Sequence, residues 1–396
     1  MHDYPIFLFT ALLIFGYGLV SRKSGESVVT APMVFVAVGL AASFFPVDFL
    51  QGGIRAPFVK VIAELTLVLI LFVDASTINL KRLIREKGIP FRLLCIGLPL
   101  TMLAGALLAF PLFPAVGIWS LCLMAFILSP TDAALGKTVV TSSRIPEKIR
   151  QGINVESGLN DGIVLAPILV CLAALTETPG ETEIRYWIFF ILKQLILGPV
   201  IGGAVGWLGG RLVERASKTG WMNETFQRLS SLALAIMAFT LAEMVHGNGF
   251  IAAFFAGLLL GTRTPEVRAR VQDFGEAEGE ALELFIFLLL GMILVPLSTS
   301  FWNLQTWIYT ILSLTIIRMI PVALCLLGTK LSWQSVGFIG WFGPRGIASI
   351  LYLLLVLVQL GPKGYEQIMA VIVLTVLLSV FLHGLSAVPL SKIYKQ

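Results

Sequence analysis

The chain has 396 residues, of which 57% are hydrophobic and only 13% are charged, with a net charge of +5. Because soluble domains carry about 25% charged residues, this composition excludes a soluble globule. The basic residues lie between apolar runs, where they set membrane topology, and this placement argues against nucleic acid as a partner. The four cysteines fall inside apolar runs without paired spacing, so we expect neither a disulfide framework nor a metal knuckle.

Apolar stretches of about 20 residues can cross a bilayer as helices. Thirteen such spans predict an all-α polytopic membrane protein, and they cover residues 4–20, 28–46, 56–78, 91–110, 114–140, 150–175, 184–210, 226–245, 248–262, 281–300, 304–328, 333–360 and 364–388. Residues 263–280 are then a loop. Lys and Arg concentrate in alternate loops, which predicts an outside N-terminus and a cytoplasmic C-terminus.

Two of the predicted spans contain helix breakers beside a charged residue. Span five contains Pro130-Thr131-Asp132, and span twelve contains Gly343-Pro344-Arg345-Gly346. Proline removes a backbone donor and glycine permits unwinding. If span seven is a linker, spans 1–6 and 8–13 form two six-helix halves in which the breaks occupy matching positions. Inverted repeats with interrupted helices are typical of secondary transporters.

Span six carries the acidic sequence Glu156-Ser157-Gly158-Leu159-Asn160-Asp161-Gly162. Ionisable groups at membrane depth are costly and mark ion paths or proton relays. Ser157 and Asp161 share one helix face, and Glu156 and Asn160 share the adjacent one. Carboxylate, hydroxyl and carbonyl oxygens suit hard cations, so Asp161, Ser157 and the Thr131 backbone are the predicted cation ligands.

A carboxylate removed from water can hold either a proton or a metal cation near neutral pH, but not both easily. Competition of this kind at Asp161 is sufficient for antiport. Asp132 could bind ions as well, or it could balance the positive N-terminal ends of half-helices, which is the role we favour.

Arg345 is a permanent cation in an apolar span and needs a partner. Glu156 is the predicted partner, and this ion pair would join span six to span twelve. Two alternatives remain open. Arg345 could reach the membrane surface with its long side chain, and the acids could be structural groups satisfied by hydrogen bonds.

Four motifs occur in an order that resembles the cation:proton antiporters of the sodium/proton exchanger type. They lie at residues 130–132, 156–162, 249–252 with 256–257, and 343–346. The resemblance implies a homodimer in a lipid bilayer that exchanges Na⁺, Li⁺ or K⁺ for H⁺ without a cofactor. It also implies one transporter domain, residues 1–390, with a mobile core at 91–175 and 304–388 and a dimerisation part at 4–78 and 184–300.

The resemblance also assigns roles to individual residues. Asp161 would carry the ion and the proton, with Ser157 and Thr131 as cation ligands. Asn160, directly before Asp161, resembles the electroneutral branch of the family. Asp74, within Phe72-Val73-Asp74-Ala75, resembles an acid that lines the ion path.

The chain departs from many relatives at Ala133, where they have proline. Residues 391–396 are too short for a regulatory tail, and the compact chain suggests a prokaryotic inner or plasma membrane.

A cation channel is disfavoured because no filter repeat occurs. An intramembrane aspartyl hydrolase, which is an alternative from another class, lacks its Gly-x-Gly-Asp motif. Gly202, Gly206 and Gly210 form a small-residue stripe that could serve a dimer contact or packing within the chain.

Overall fold

The structure is a computed structural model that describes residues 4–25, 27–44, 57–78, 88–132, 135, 139, 142, 144–176, 184–263 and 265–394. Across these ranges the regular secondary structure is entirely helical, which confirms the predicted all-α fold. Seven of the described helices are long and apolar enough to cross a membrane, and five shorter helices are also apolar. The count of thirteen spans stays a prediction.

The helices of the first half of the chain follow the predicted spans closely. They are α1 (Tyr4–Gly25), α2 (Ala31–Ala42), α3 (Pro57–Thr77), α4 (Ile89–Leu112), α5 (Ile118–Ile127), α6 (Glu147–Thr176) and α7 (Ile184–Lys218). Helix α4 contains one π-helical segment at Leu93–Gly97. The part of predicted span five that begins at Ala133 lies largely outside the described residues.

The second half divides two of its predicted spans into separate helices. Its elements are α8 (Glu224–Met244), α9 (Gly249–Arg263), α10 (Pro265–Leu289), α11 (Leu304–Leu314), α12 (Ile316–Cys325), α13 (Trp333–Trp341), α14 (Ile347–Leu360) and α15 (Glu366–Ile393). Beyond Leu289 the helix continues through a π-helical segment, Leu290–Leu294, into Val295–Ser298.

The prediction of a loop at residues 263–280 is wrong, because the backbone from Pro265 onward is helical. Helix α10 begins at Pro265 and runs through this polar stretch. Ala, Glu and Arg, which are frequent here, are strong helix formers, and proline suits the first turn of a helix. A hydropathy pattern detects the apolar part of a helix only, so it placed the start too late.

The chain forms two compact units. The first contains residues 1–61, 88–157 and 281–396. Its central element is α15, whose residues 368–376 are almost all buried apolar side chains, and which packs against α2, α5, α11 and α14. Both helix breaks belong to this unit.

The second unit contains residues 62–87 and 158–280. Helices α7 and α9 make its most extensive contact. A Cβ atom at Gly202 would collide with the carbonyl oxygen of Ala252, and one at Gly206 with that of Ala256. These two glycines of the stripe therefore serve packing within the chain. The predicted core and dimerisation parts concern movement and assembly, and that division stays a prediction.

Candidate functional site

The first break follows α5 and lies in the buried core of the first unit. The helix ends at Ile127, and residues Leu128 to Asp132 continue without helical structure. Proline at 130 has no N–H and disfavours a helical conformation in the preceding residue. The Ser349 hydroxyl donates to the Ile127 carbonyl (2.7 Å), so a side chain from α14 satisfies part of the helix end.

The second break, Phe342 to Gly346, separates α13 from α14. The two breaks meet directly, because the Asp132 backbone N–H donates to the Pro344 carbonyl (2.8 Å). The Arg345 backbone N–H donates to the Ser379 hydroxyl oxygen of α15 (2.6 Å). Both non-helical segments therefore find hydrogen-bond partners away from water, as buried backbone requires.

Asp132 lies at the N-terminus of α14. Its Oδ2 accepts a hydrogen bond from the backbone N–H of Ile347 (2.9 Å), the first residue of that helix. A carboxylate at this end stabilises the positive pole of the helix. A Cβ atom at Gly346 would collide with the same carboxylate oxygen, which explains why glycine suits this position. This contact favours the helix-balancing role of Asp132.

Arg345 occupies the complementary place at the C-terminal end of α5. Its Nη1 donates to the carbonyl oxygens of Ser129 and, at 3.0 Å, Pro130. A cation at a helix C-terminus stabilises the negative pole. The residue is fully buried, with 0% of its surface exposed, so the alternative in which it reaches the membrane surface does not hold. Each break therefore carries a charged residue that stabilises a helix end next to the other break. Asp132 of the first break lies at the start of α14, and Arg345 of the second break lies at the end of α5.

The predicted ion pair of Glu156 with Arg345 is corrected by the structure. Glu156 on α6 instead accepts two hydrogen bonds from Arg318 on α12, at 2.5 and 2.8 Å. Both side chains are buried. The planar guanidinium matches a carboxylate through two parallel bonds, which makes this a strong geometry. Arg345 is instead satisfied in part by the carbonyl groups of the first break, an acceptor that residue types alone do not reveal.

Arg318 is a charged residue of this site that the sequence pattern did not single out. It lies within the otherwise apolar stretch Ile316–Cys325, where a charged residue needs a buried partner. A charge inside a span was the signal that identified Arg345, and the same signal applied to Arg318. A Cβ atom at Gly343 would approach the Arg318 Nε to 2.5 Å, so the second break leaves room for this guanidinium.

Thr131 and Ser157 are brought together at the first break. Their hydroxyl oxygens lie 2.9 Å apart, and both side chains are buried. The sequence had predicted the Thr131 backbone as a ligand, whereas the described contact of Thr131 with α6 is through its side chain. Two adjacent hydroxyl oxygens are suitable ligands for a hard monovalent cation.

Asn160 and Asp161 lie on the part of α6 that belongs to the second unit. Both are buried, Asp161 with 6% and Asn160 with 0% of the surface exposed. Asp161 follows Ser157 by one helical turn, so the two positions share a face of α6. The structure thus places the predicted carboxylate within a helix long and apolar enough to cross a membrane.

Glycines pack the helices around this part of α6. A Cβ atom at Gly162 would come within 2.5 Å of the Phe254 ring on α9, and one at Gly257 of α9 would collide with the carbonyl oxygen of Phe72 on α3. Asp74, the predicted ion-path residue, lies two positions beyond Phe72 on α3 and is half-buried. Glycine allows this close approach because it has no side chain to displace.

Comparison with known proteins gives consistent results. The family described as "Sodium/hydrogen exchanger, transmembrane" matches residues 9–393. The chain is 27% identical over 411 residues to the Na(+)/H(+) antiporter NhaP of Pseudomonas aeruginosa, covering 97% of this chain and 94% of that protein. It is 24% identical over 311 residues to a Na(+)/H(+) antiporter of Schizosaccharomyces pombe, covering 70% of this chain and 65% of the relative.

A second kind of relative is the K(+)/H(+) antiporter NhaP2 of Shewanella sp. strain ANA-3, 24% identical over 278 residues, with 69% of this chain and 47% of that protein covered. The chain thus spans 65% of the fission yeast protein and 47% of the Shewanella one. Among solved structures, the sodium proton antiporter MjNhaP1 from Methanocaldococcus jannaschii at pH 8 matches with a TM-score of 0.81 at 19% identity, covering 99% of each chain. At that identity the likeness establishes the fold.

Proposed function

This chain belongs to the sodium/hydrogen exchanger family, and from that membership we propose that it exchanges a monovalent cation, preferentially Na⁺, for H⁺ across a membrane. The observation that carries the proposal is the buried carboxylate of Asp161 on a helix suited to span a membrane. Burial of an ionised carboxylate costs several kcal/mol or more, and an ionisable group at membrane depth by default marks an ion path or a proton relay.

The mechanism follows from the competition for one carboxylate. With Asp161 ionised, a cation entering from one side is bound by the carboxylate and by the Ser157 and Thr131 hydroxyl oxygens. After the site opens to the other side, a proton replaces the cation on Asp161. The protonated site then returns and releases its proton. Since one carboxylate cannot bind a cation and a proton well at the same time, binding of one requires release of the other.

Electroneutral exchange is part of this proposal. Asn160, directly before Asp161, carries no ionisable proton, which leaves Asp161 as the exchanging acid of the pair. One Na⁺ moved in one direction and one H⁺ in the other transfer no net charge.

A K⁺/H⁺ exchanger is the second candidate. Two relatives with the names NhaP2 and NhaP are described as K(+)/H(+) antiporters, from Shewanella and Alkalimonas amylolytica. Na⁺ is preferred here because the Pseudomonas relative, which is matched over 94% of its length, is named for Na⁺. Both cations are bound by oxygen ligands, so the residue types of the site alone do not select between them.

We also propose the setting in which exchange occurs. The chain functions as a homodimer in a prokaryotic plasma membrane, with its N-terminus outside and its C-terminus in the cytoplasm. The distribution of Lys and Arg between the loops supports this orientation. The core at 91–175 and 304–388 moves the ion, and residues 4–78 and 184–300 provide the dimer contacts.

Purified protein in liposomes that contain a pH-sensitive dye tests the function. Na⁺, Li⁺ and K⁺ are added outside in turn, each at equal concentration with choline as the control cation. We expect an internal pH rise with Na⁺ and a smaller one with Li⁺. A rise with K⁺ alone would replace the Na⁺ assignment with the second candidate, and no response to any cation from well-folded protein would contradict antiport.

A further inference from the structure

The break between α13 and α14 is held by a residue of α15 that the proposed mechanism does not use. The Arg345 N–H lies 2.6 Å from the Ser379 hydroxyl oxygen, and both residues have 0% of their surface exposed. A buried N–H group without an acceptor costs about 1–3 kcal/mol. The Ser379 hydroxyl therefore holds the backbone from which the Arg345 side chain extends.

A buried histidine supports this hydroxyl. His383 lies one helical turn after Ser379, and its Nδ1 is 3.1 Å from the Ser379 Oγ and 3.0 Å from the Ser379 carbonyl oxygen. The imidazole lies beside the Trp341 indole, with 5.0 Å between ring centroids. Trp341 in turn donates from Nε1 to the Ser386 hydroxyl oxygen (2.9 Å). Helix α15 thus contacts both the end of α13 and the break.

The hydrogen bonds among Arg345, Ser379 and His383 limit where their hydrogen atoms can lie. The Ser379 Oγ accepts the Arg345 N–H, and its own hydrogen can be donated to the His383 Nδ1 if that nitrogen is unprotonated. The other neutral tautomer would donate from Nδ1 to the Ser379 carbonyl. Among the described residues, that arrangement leaves both the hydroxyl hydrogen and the Nε2 lone pair of His383 without a partner. With Nδ1 unprotonated, the Nε2–H group is the one left without a described partner, so the chain Arg345 N–H to Ser379 O–H to His383 Nδ1 satisfies more groups.

We propose that Ser379 and His383 are positioning residues for cation exchange: His383 orients the Ser379 hydroxyl, and this hydroxyl fixes the Arg345 peptide. The fixed peptide places the guanidinium on the Ser129 and Pro130 carbonyls, directly before Thr131. The effect on transport rests on the proposed exchange function, whereas the effect on the break does not. The two parts are therefore tested separately.

The first test is hydrogen–deuterium exchange of the purified protein, read at peptides that contain residues 342–346. In Ser379→Ala we expect the Arg345 amide to exchange about tenfold faster, because it loses its acceptor. The matched control is Ser391→Ala, which removes a buried hydroxyl of the same helix that donates to the Ala387 carbonyl within that helix. Unchanged protection of Arg345 in Ser379→Ala, or an equal loss in Ser391→Ala, would overturn the proposal.

Substitutions of His383 distinguish the roles of its two ring nitrogens. An asparagine amide can place a polar atom near the position of Nδ1, whereas a glutamine amide reaches toward Nε2. We expect His383→Asn to retain the protection of the Arg345 amide and His383→Gln to lose it. The reverse order would overturn the role of Nδ1.

Transport supplies the functional test. Ser379→Ala and His383→Gln should raise the Na⁺ concentration for half-maximal exchange about three- to tenfold, with the maximal rate changed by less than about twofold. His383→Asn and Ser391→Ala should remain near wild type. An unchanged half-maximal concentration in Ser379→Ala would refute the positioning role. A silent wild type would refute the proposed exchange, while hydrogen exchange would still decide whether Ser379 holds the break.

Discussion

Asp161 is the residue at which charge and shape can be separated by one substitution. Asparagine keeps the size of the side chain and its capacity for hydrogen bonds, but it cannot exchange a proton for a cation. We therefore expect Asp161→Asn to abolish cation-dependent pH changes in liposomes, with a melting temperature close to that of wild type. The matched control is Glu224→Gln at the start of α8, where the carboxylate is exposed. Cation-dependent exchange that persists in Asp161→Asn would contradict the assignment.

The ion pair of Glu156 and Arg318 leads to a prediction about thermal stability. Removal of one partner from a buried ion pair leaves an uncompensated charge and costs about 3–5 kcal/mol. We expect Glu156→Met to lower thermal stability strongly, and the double variant Glu156→Met with Arg318→Met to recover most of the loss. Unfolding of the detergent-solubilised variants is followed by tryptophan fluorescence.

The control for this pair uses the other buried arginine. Combination of Glu156→Met with Arg345→Met should give no recovery, because Arg345 contacts the Ser129 and Pro130 carbonyls. Recovery by the Arg345 change instead of the Arg318 change would restore the pairing that the sequence predicted.

The sequence identified the charged residues of the site better than their partners. Asp132, Glu156, Asp161 and Arg345 stand out because a charge inside an apolar span is costly. Their pairing depends on which helices are neighbours in three dimensions, and periodicity along one helix carries no such information. Glu156 was matched with Arg345 although Arg318 is the residue that α12 brings to it.

At the scale of helices, the two breaks could be predicted because proline and glycine act locally on the backbone. The hydrogen bond between Asp132 and Pro344 could not, since it joins segments more than 200 residues apart in the sequence. The N-terminal extension of α10 was missed for the opposite reason. Its polar residues form a helix by intrinsic propensity, which the apolar pattern does not register.

The contact of α9 with α3 gives a prediction about helix packing. A Cβ atom at Gly257 would collide with a backbone carbonyl, that of Phe72, which cannot move aside as a flexible side chain would. Gly257→Ala should therefore destabilise the protein by about 1–3 kcal/mol and reduce exchange. Thermal unfolding and the liposome assay measure the two effects.

Gly337 on α13 provides the matched control, because nothing lies within 4 Å of a Cβ atom built there. An alanine in a helix interior is more favourable than glycine by about 0.5–1 kcal/mol, so Gly337→Ala should keep or slightly raise the melting temperature. Equal losses in both variants would show that the loss at Gly257 is not due to the contact with Phe72.

For the molecule as a whole, we expect exchange without net charge transfer. On a solid-supported membrane, a jump in Na⁺ concentration without a pH gradient should produce no sustained transport current, while a dye in the same preparation reports a pH change. The reason is that, in the proposed cycle, one carboxylate exchanges one Na⁺ for one H⁺. A sustained current, lost in Asp161→Asn, would show that unequal numbers of protons and cations move in each cycle.

Composition and the spacing of apolar runs were sufficient to predict the class of the whole molecule, because every backbone group in a lipid environment must be satisfied within a helix. The sequence did not predict the two compact units, whose boundary on α6 falls between Ser157 and Gly158. A continuous helix gives no sign in its residue pattern of where its neighbours change.

The contact between the two breaks has a consequence for how the membrane voltage acts on the protein. Asp132 and Arg345, which lie where the breaks meet, are side chains of opposite charge. The charges of the buried Glu156 and Arg318 also sum to zero. A potential of 100 mV does about 2.3 kcal/mol of work on each unit charge that crosses it. A framework whose buried charges cancel can change position without such work, so the voltage exerts no net force on these four residues.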